Sequence, residues 1–273
     1  MKKELIDKYR KLLEILNQYD SVLIAYSGGV DSSFLLHAAD ESRIKKIYAV
    51  SIKSDLLADS EIIDVRKNSA DTRAELVVFE EDILSVENVR SNPPERCYFC
   101  KKTVLGIMKK FAEEKQISVI IEGTNADDLK DYRPGYKAVT EEGVVSPLLL
   151  AGITKTEIRI IAQEKGWQFF NKKSSPCFAT RIAHNEELSR EKLKAVMEAE
   201  KYLSGILEGN IRVRVHGDIV RIETDRENFI KLVQDDISEE VVKKIKTLGF
   251  KFVALDLTGY KMGSMNHIPE DNI

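Results

Sequence analysis

The chain is expected to adopt an α/β fold, a parallel sheet with helices on both faces followed by a small C-terminal α+β domain. Three observations predict it. The stretch SVLIAYSGGVDSSFLLHAAD, Ser21 to Asp40, joins a continuous apolar run to an apolar helical run through Gly28 and Gly29. Further strand-like runs then alternate with amphipathic helical segments up to about residue 170, the signature of βαβ units and a parallel sheet. Beyond residue 185 the order changes to a long helix, two alternating strands and more helix, which reads as a separate α+β layer. At 273 residues, two domains are the ordinary expectation. The boundaries are set at 1–170 for the sheet domain, 171–185 for a linker and 186–273 for the C-terminal domain, which would serve substrate binding and oligomerisation.

MKKELIDKYRKLLEILNQYD spaces its apolar residues for an amphipathic helix. Val22, Leu23, Ile24 and Ala25 form a strand buried on both faces, and Phe34, Leu35, Leu36, Ala38 and Ala39 the inward side of the helix that follows. Lys46 to Ile52 is a second strand, Asp59 to Arg73 a charged helix and Glu75 to Phe79 a third strand. Asn92-Pro93-Pro94 breaks the chain, because proline has no amide hydrogen and restrains the residue before it. Helical periodicity resumes from Phe99 to Lys115, and Ile117 to Glu122 is a fourth strand ending in Gly123-Thr124-Asn125-Ala126-Asp127-Asp128. Thr154 is an N-cap for a helix to Lys165. The irregular segment NKKSSPCFATRIAHN, Asn171 to Asn185, is the linker, and a long helix from about Glu186 to Leu207 follows it. IRVRVH and IVRIE make a hairpin turning at Gly217-Asp218, with helical stretches over Glu227 to Val233 and Ser238 to Leu248 and a last strand in FKFVALDL. No internal repeat or low-complexity tract is visible.

Composition narrows the class of function. Hydrophobic residues make up 43% and charged residues 32%, and no apolar run reaches the length of a bilayer span. The first residues are basic but soon mix acids with bases, so they are read as a helix and not a signal peptide. A formal charge of -3 gives no basic footprint, which disfavours nucleic acid as a partner. Three cysteines are too few and too odd for a disulfide framework, so a cytoplasmic location is expected.

Gly28 and Gly29 allow successive amide groups to point at one anion, and the start of the following helix adds its dipole. The loop is therefore read as a phosphate cradle; the bland alternative is a Gly-Gly turn capped by Asp31 or Ser27. It is not the P-loop of kinases, which needs a lysine after its second glycine where this chain has Val30-Asp31-Ser32-Ser33. In a parallel sheet both this loop and Gly123 to Asp128 would lie at the carboxyl ends of strands, where one nucleotide can meet both. Asp127 and Asp128 are either magnesium ligands or a solvated acidic turn. Arg212 and Arg214, two apart on a strand, share a face and suit a phosphate; the alternative is a charged edge that discourages aggregation. His184 and His216 are read as structural or surface residues. Cys97-Tyr98-Phe99-Cys100 with the distant Cys177 leaves five readings open: a redox disulfide, zinc, an iron–sulfur cluster, a sacrificial sulfur at Cys177, or inert thiols. The pair does not follow a first strand as in thioredoxin-like proteins, and zinc lacks a fourth ligand nearby. Three thiolates suit a four-iron cluster with one iron open.

The order Ser27-Gly28-Gly29-Val30-Asp31-Ser32 resembles the PP-loop of N-type ATP pyrophosphatases, which split ATP into AMP and pyrophosphate while adenylating an acceptor. An aspartate within an anion site needs a bridging divalent cation, so Asp31 is taken as a magnesium (Mg2+) ligand. With GTNADDLKDYRPGYKA, PCFATRI, RVRVHGDIVRIE and LDLTGYKMGSMN added, nearly the whole chain resembles the LarE family, ATP-dependent sulfur transferases that build the nickel-pincer nucleotide cofactor. One departure stands out: where many relatives carry Pro-Tyr-Gly after the arginine, this chain has Ile182 followed by Ala183-His184-Asn185.

The resemblance implies that a carboxylate of a pyridinium dicarboxylate mononucleotide is adenylated and then converted to a thiocarboxylate. It implies ATP contacts from Ser27, Gly28, Gly29, Asp31, Ser32, Ser33, Gly123 and Asp127. Arg181, Arg212 and Arg214 would take the substrate phosphate, with Glu200 facing the substrate near Cys177. Among such proteins the one-cysteine forms give up their own sulfur, whereas three-cysteine forms hold a cluster, so Cys97, Cys100 and Cys177 are assigned to a 4Fe-4S cluster here. Partners would be the mononucleotide, a sulfur donor (sulfide or a sulfur carrier) and further copies of the chain in a homo-oligomer. Two other readings compete: a tRNA-thiolating PP-loop enzyme, which a gel shift with tRNA would reveal, and an adenine-nucleotide sensor with structural zinc, which pyrophosphate release would exclude.

Overall fold

The structure, a computed structural model, describes residues 2–128, 134–173, 175–261 and 264–265. Residues 129–133 of the GTNADDLKDYRPGYKA stretch, Ser174 of the linker, and 262–263 and 266 onward in the C-terminal motif lie outside the described residues. The elements run α1 (Lys3–Leu16), β1 (Ser21–Ala25), α2 (Val30–Glu41), β2 (Lys46–Lys53), α3 (Asp59–Ser69), β3 (Glu75–Glu80), α4 (Glu87–Arg90), α5 (Arg96–Glu114), β4 (Ile120–Ile121), α6 (Pro134–Glu141), α7 (Pro147–Leu150), α8 (Lys155–Glu164), α9 (Arg190–Ser204), β5 (Ile211–His216), β6 (Ile219–Thr224), α10 (Phe229–Leu232), α11 (Asp235–Thr247) and β7 (Phe252–Leu255). Two compact units result, Met1–Ile83 with Glu95–Ser175 and Leu84–Pro94 with Pro176–Ile273.

In the first unit the four strands are parallel in the order β3-β2-β1-β4. Strand alternation sends Val22 and Ile24 to one side, where they join Leu12 of α1, Phe34 of α2, Val65 of α3 and Ile158 of α8 in one buried cluster. Tyr48 of β2, between Ile47 and Ala49 of that cluster, points the other way and meets Phe111 of α5 edge-on at 5.3 Å between ring centroids. Helices therefore cover both faces, as the α/β reading requires.

In the second unit β5 and β6 pair antiparallel across the Gly217-Asp218 turn, and β7 lies parallel to β6. The segment 84–94 folds with this unit, although the sequence reading placed it in the sheet domain. The reason is Asn92: fully buried and left-handed (φ 55°), it donates from its carboxamide to the carbonyls of Ala183 at 2.8 Å and Glu186 at 3.2 Å. Its own carbonyl accepts from the amide of Asn185 at 2.9 Å. The departure at Ala183-His184-Asn185 is thus fixed by a residue some ninety positions upstream.

Several boundaries differ from the sequence reading. The third helix stops at Ser69, whose hydroxyl turns back onto the Val65 carbonyl at 2.9 Å. Arg73, expected inside it, instead spreads its guanidinium over the carbonyls of Ala39, Asp40, Ser42 and Ile44. The helix expected from Phe99 starts at Arg96, so the whole C-x-x-C lies within its first turns. The fourth strand shrinks to two residues, continued by a single bridge from Ile121 to Val145. The long helix is trimmed to Arg190–Ser204, with Ser189 accepting from Lys192 N as its N-cap. The helical stretches α4, α6 and α7 lack enough periodic residues to be foreseen.

Candidate functional site

The PP-loop closes on itself. Ser32 Oγ lies 3.1 Å from Ser27 Oγ and donates to the Gly29 carbonyl at 3.2 Å, bending the backbone between β1 and α2 into a nest. Gly28 has φ +70°, and a Cβ there would meet Val65 Cγ2 at 2.7 Å, so no other residue fits. Gly123 is required for another reason, since its Cβ would fall 3.0 Å from Ser32 N, which brings the loop after β4 against the PP-loop. Between them lies a cleft of about 180 Å³ lined by Ser27, Gly29, Asp31, Ser32, Glu122 and Gly123, with Lys101 and Asp128 at its side. Ser33 turns away from it: fully buried, its hydroxyl lies 3.4 Å from Tyr26 OH.

Sequence reasoning missed the cations. Thr154 caps α8 through a complete capping box with Glu157, and this sets Lys155 in the first turn. There the Lys155 ammonium bonds Asp31 and its amide donates to Asp127 Oδ2 at 3.0 Å. The lysine that the loop lacks is therefore delivered from α8. A lysine in a first helical turn works against the macrodipole, and that is the signal that could have found it. Lys172 Nζ donates to the Gly28 carbonyl at 3.2 Å and pairs with Glu61 at 3.1 Å and Asp64 at 2.7 Å. Glu122, buried at the end of β4, accepts from Ser146 Oγ at 2.6 Å and Thr124 N at 3.0 Å, with Lys101 Nζ at 3.6 Å. Asp127 and Asp128 accept helix and turn amides and so shape the loop, and Asp128 lines the cleft.

No cysteine is in a disulfide. Cys97 and Cys100 are three apart on α5 and so share a helix face, and the buried Arg96 places Nη2 3.6 Å from Cys97 Sγ. Lys101 of the same helix lines the cleft beside Ser27 and Asp31, one turn beyond Cys97. Cys177 belongs to the second unit. Among the described residues, no group of three or more His, Cys, Asp or Glu side chains gathers as a metal site.

The second unit holds the arginines. Arg181, 1% exposed, meets Glu200 with Nε to Oε1 at 3.0 Å and Nη2 to Oε2 at 3.1 Å. Arg214 pairs with the fully buried Glu223 at 3.0 Å and donates to the Thr180 carbonyl at 2.9 Å. Arg221 also meets Glu223, at 3.2 Å, and bonds Asp256. Arg212 rests its guanidinium 5.4 Å from the Tyr260 ring centroid. Burial first, and the Arg181 charge second, push the Arg212 guanidinium below its ordinary value, although arginine stays cationic. Glu200, expected to face the substrate, has both oxygens on Arg181 and accepts from Val213 N at 3.0 Å as well. His216 accepts from Arg221 Nε at 3.3 Å, and burial lowers its pKa, which fits a structural histidine.

No family model matches the chain. It is 34% identical over 261 residues to an uncharacterized protein of Synechocystis sp., covering 96% of this chain and 97% of that one. It is 32% identical over 263 residues to the pyridinium-3,5-bisthiocarboxylic acid mononucleotide synthase of Lactiplantibacillus plantarum, covering 96% and 95%. A probable tRNA sulfurtransferase of Methanocaldococcus jannaschii is 31% identical over 143 residues, covering 46% and 37%.

Proposed function

Since the chain belongs to the LarE family of PP-loop, ATP-using enzymes, we propose that it transfers sulfur to a pyridinium dicarboxylate mononucleotide in nickel-pincer cofactor synthesis. The observation that carries the reading is the cleft at the amino end of α2, where Asp31 is one of the lining residues and is bonded by Lys155 from the first turn of α8. A nest of amides, two helix dipoles and a lysine suit a triphosphate, while the carboxylate suits its metal.

The chemistry follows from the leaving groups. A carboxylate oxygen of the substrate attacks the α-phosphorus of ATP and pyrophosphate leaves, so the carbonyl carbon now carries AMP in place of oxide. A hydrosulfide then attacks that carbon and AMP departs with the original oxygen, leaving a thiocarboxylate. Lys155 and the PP-loop amides neutralise charge that builds on the departing pyrophosphate. Arg212, a guanidinium on β5, is the group that suits the phosphate of the mononucleotide.

Two inorganic groups belong to this reading. Asp31, which lines the cleft with Asp128, offers a hard oxygen donor that suits magnesium, and it already accepts one cation in Lys155. Cys97, Cys100 and Cys177 offer the soft donors that a 4Fe-4S cluster takes, and Cys97 and Cys100 share the first turns of α5 with Lys101, a residue of the cleft. Such a cluster, when bound, supplies an open iron on which the transferred sulfur can be carried. The protein's own part is to hold the thiolates and to keep the acyl adenylate away from water.

The test is an anaerobic incubation of the full chain with ATP, magnesium, sulfide and the pyridinium dicarboxylate mononucleotide. Equal AMP and pyrophosphate with a thiocarboxylate product by mass is the expected result. AMP released only in the presence of tRNA would reject it in favour of tRNA thiolation. Iron and sulfide assays on Cys97→Ser, Cys100→Ser and Cys177→Ser test the cluster separately. Each should lose iron and the absorbance near roughly 400 nm that thiolate-ligated iron gives. Cys177 found as dehydroalanine after one turnover would instead mark it as a sacrificial donor.

A further inference from the structure

We propose that Arg181, held by Glu200, is a positioning residue that fixes the backbone of Cys177, and that it does not bind the substrate phosphate. The inference rests on the sulfur-transfer reading for its purpose but not for its geometry. Every nitrogen of this guanidinium is engaged within the second unit. Nε and Nη2 hold the two oxygens of Glu200, and Nη1 donates to the Pro176 carbonyl at 2.6 Å, the Cys177 carbonyl at 3.2 Å and Thr180 Oγ1 at 3.1 Å. The Cys177 carbonyl accepts further from Thr180 Oγ1 at 2.9 Å and Thr180 N at 3.1 Å. Below the turn, Phe178 stacks on the guanidinium with 4.5 Å between its centroid and Cζ.

These bonds fix the short 3-10 turn Phe178–Arg181 from one end, and Arg214 fixes it from the other through the Thr180 carbonyl. Glu200 is anchored in turn by Val213 N, so β5, α9 and the cysteine-bearing turn share one buried ion pair. A guanidinium that is 1% exposed and already donates to two carbonyls and a carboxylate has no fork left for a phosphate. Cys177, by contrast, is part exposed, while the arrangement holds its main chain. Planarity matters here, since one rigid fork meets Glu200 along one edge and the carbonyls along the other, which a lysine cannot do.

The experiment uses the full chain with Arg181→Lys and Glu200→Gln, their thermal unfolding followed in parallel. Three readouts are taken: iodoacetamide alkylation of each cysteine by peptide mass, affinity for the mononucleotide, and kcat against KM. With Arg181→Lys, Cys177 should alkylate about tenfold faster, which corresponds to about 1.4 kcal/mol, the worth of one lost hydrogen bond. Cys97 and Cys100 should not change, the mononucleotide affinity and KM should hold, and kcat should fall. Glu200→Gln, which keeps the Val213 acceptor but loses the charge, should shift Cys177 in the same direction by less, and it decides the matter if Arg181→Lys does not fold. Loss of mononucleotide affinity makes Arg181 a ligand and overturns the proposal, as does unchanged alkylation of Cys177 in both variants. If the wild-type chain fails to convert the mononucleotide, the sulfur-transfer reading falls while the alkylation contrast still decides the role of Arg181.

Discussion

At the scale of the residue, neighbours decide which charges work and which hold. Asp31 lines the cleft and is bonded by Lys155, and neither side chain is fully buried. Asp31→Asn is expected to abolish AMP and pyrophosphate formation while leaving the melting temperature within a degree or two of wild type; retained adenylation would refute the assignment. The arginines of the second unit separate by the same logic. Arg212→Ala should weaken the mononucleotide by about 1.5–3 kcal/mol, the scale of a charge-assisted hydrogen bond, with ATP affinity kept. Arg214→Ala leaves Glu223 buried with only the charge of Arg221 beside it, so it should cost stability instead, by about 3–5 kcal/mol in denaturant unfolding. Equal stabilities for the two variants would show that Arg214 is not holding Glu223. The sequence places both arginines on one face but says nothing of Glu223, because their opposition across β5 and β6 is a matter of register.

At the scale of the element, helix ends aim the chemistry. The capping box at Thr154 fixes where α8 begins, and the first residue after it is Lys155. Thr154→Ala is expected to cost about 1 kcal/mol of stability, the usual price of a lost N-cap. It should also raise the KM for ATP, because a frayed first turn no longer holds Lys155 against Asp31. A stability loss with unchanged KM would mean that Lys155 finds the cleft without its helix. The Thr154 cap was legible in sequence, since cap and helix lie within four residues of each other. The start of α5 was not, because the break suggested by Asn92-Pro93-Pro94 ends sooner than expected, and so Arg96 to Tyr98, with Cys97, read as loop while Cys100 already fell in the helix.

At the scale of the molecule, the first unit stands on a layered core in which even polar groups are committed. Tyr26, at the end of β1, lies 2% exposed with its hydroxyl near Ser33 and donating to the Val65 carbonyl at 3.3 Å. Burial is the main cause that pushes its phenol up to about 12. A raised folded value means that the neutral form is favoured by folding, so this contribution is full below the unfolded value near 10 and is lost as pH rises to 12. Wild type should therefore lose on the order of 2–3 kcal/mol more than Tyr26→Phe between those pH values. Parallel melting curves for the two proteins would reject this.

By itself the sequence determined the α/β class, the strand–loop–helix unit around Ser27 to Ser33 and the family, because each rests on short stretches of neighbouring residues, as do the alternation of β5 and β6 and the cap at Thr154. Only the tertiary structure decided which side chains share a space. Lys155 reaches Asp31 across 124 positions, Asn92 pins Ala183 across 91, and Glu200 pairs with Arg181 across 19. Such partnerships are chosen by the packing of separate elements, and no local pattern records them.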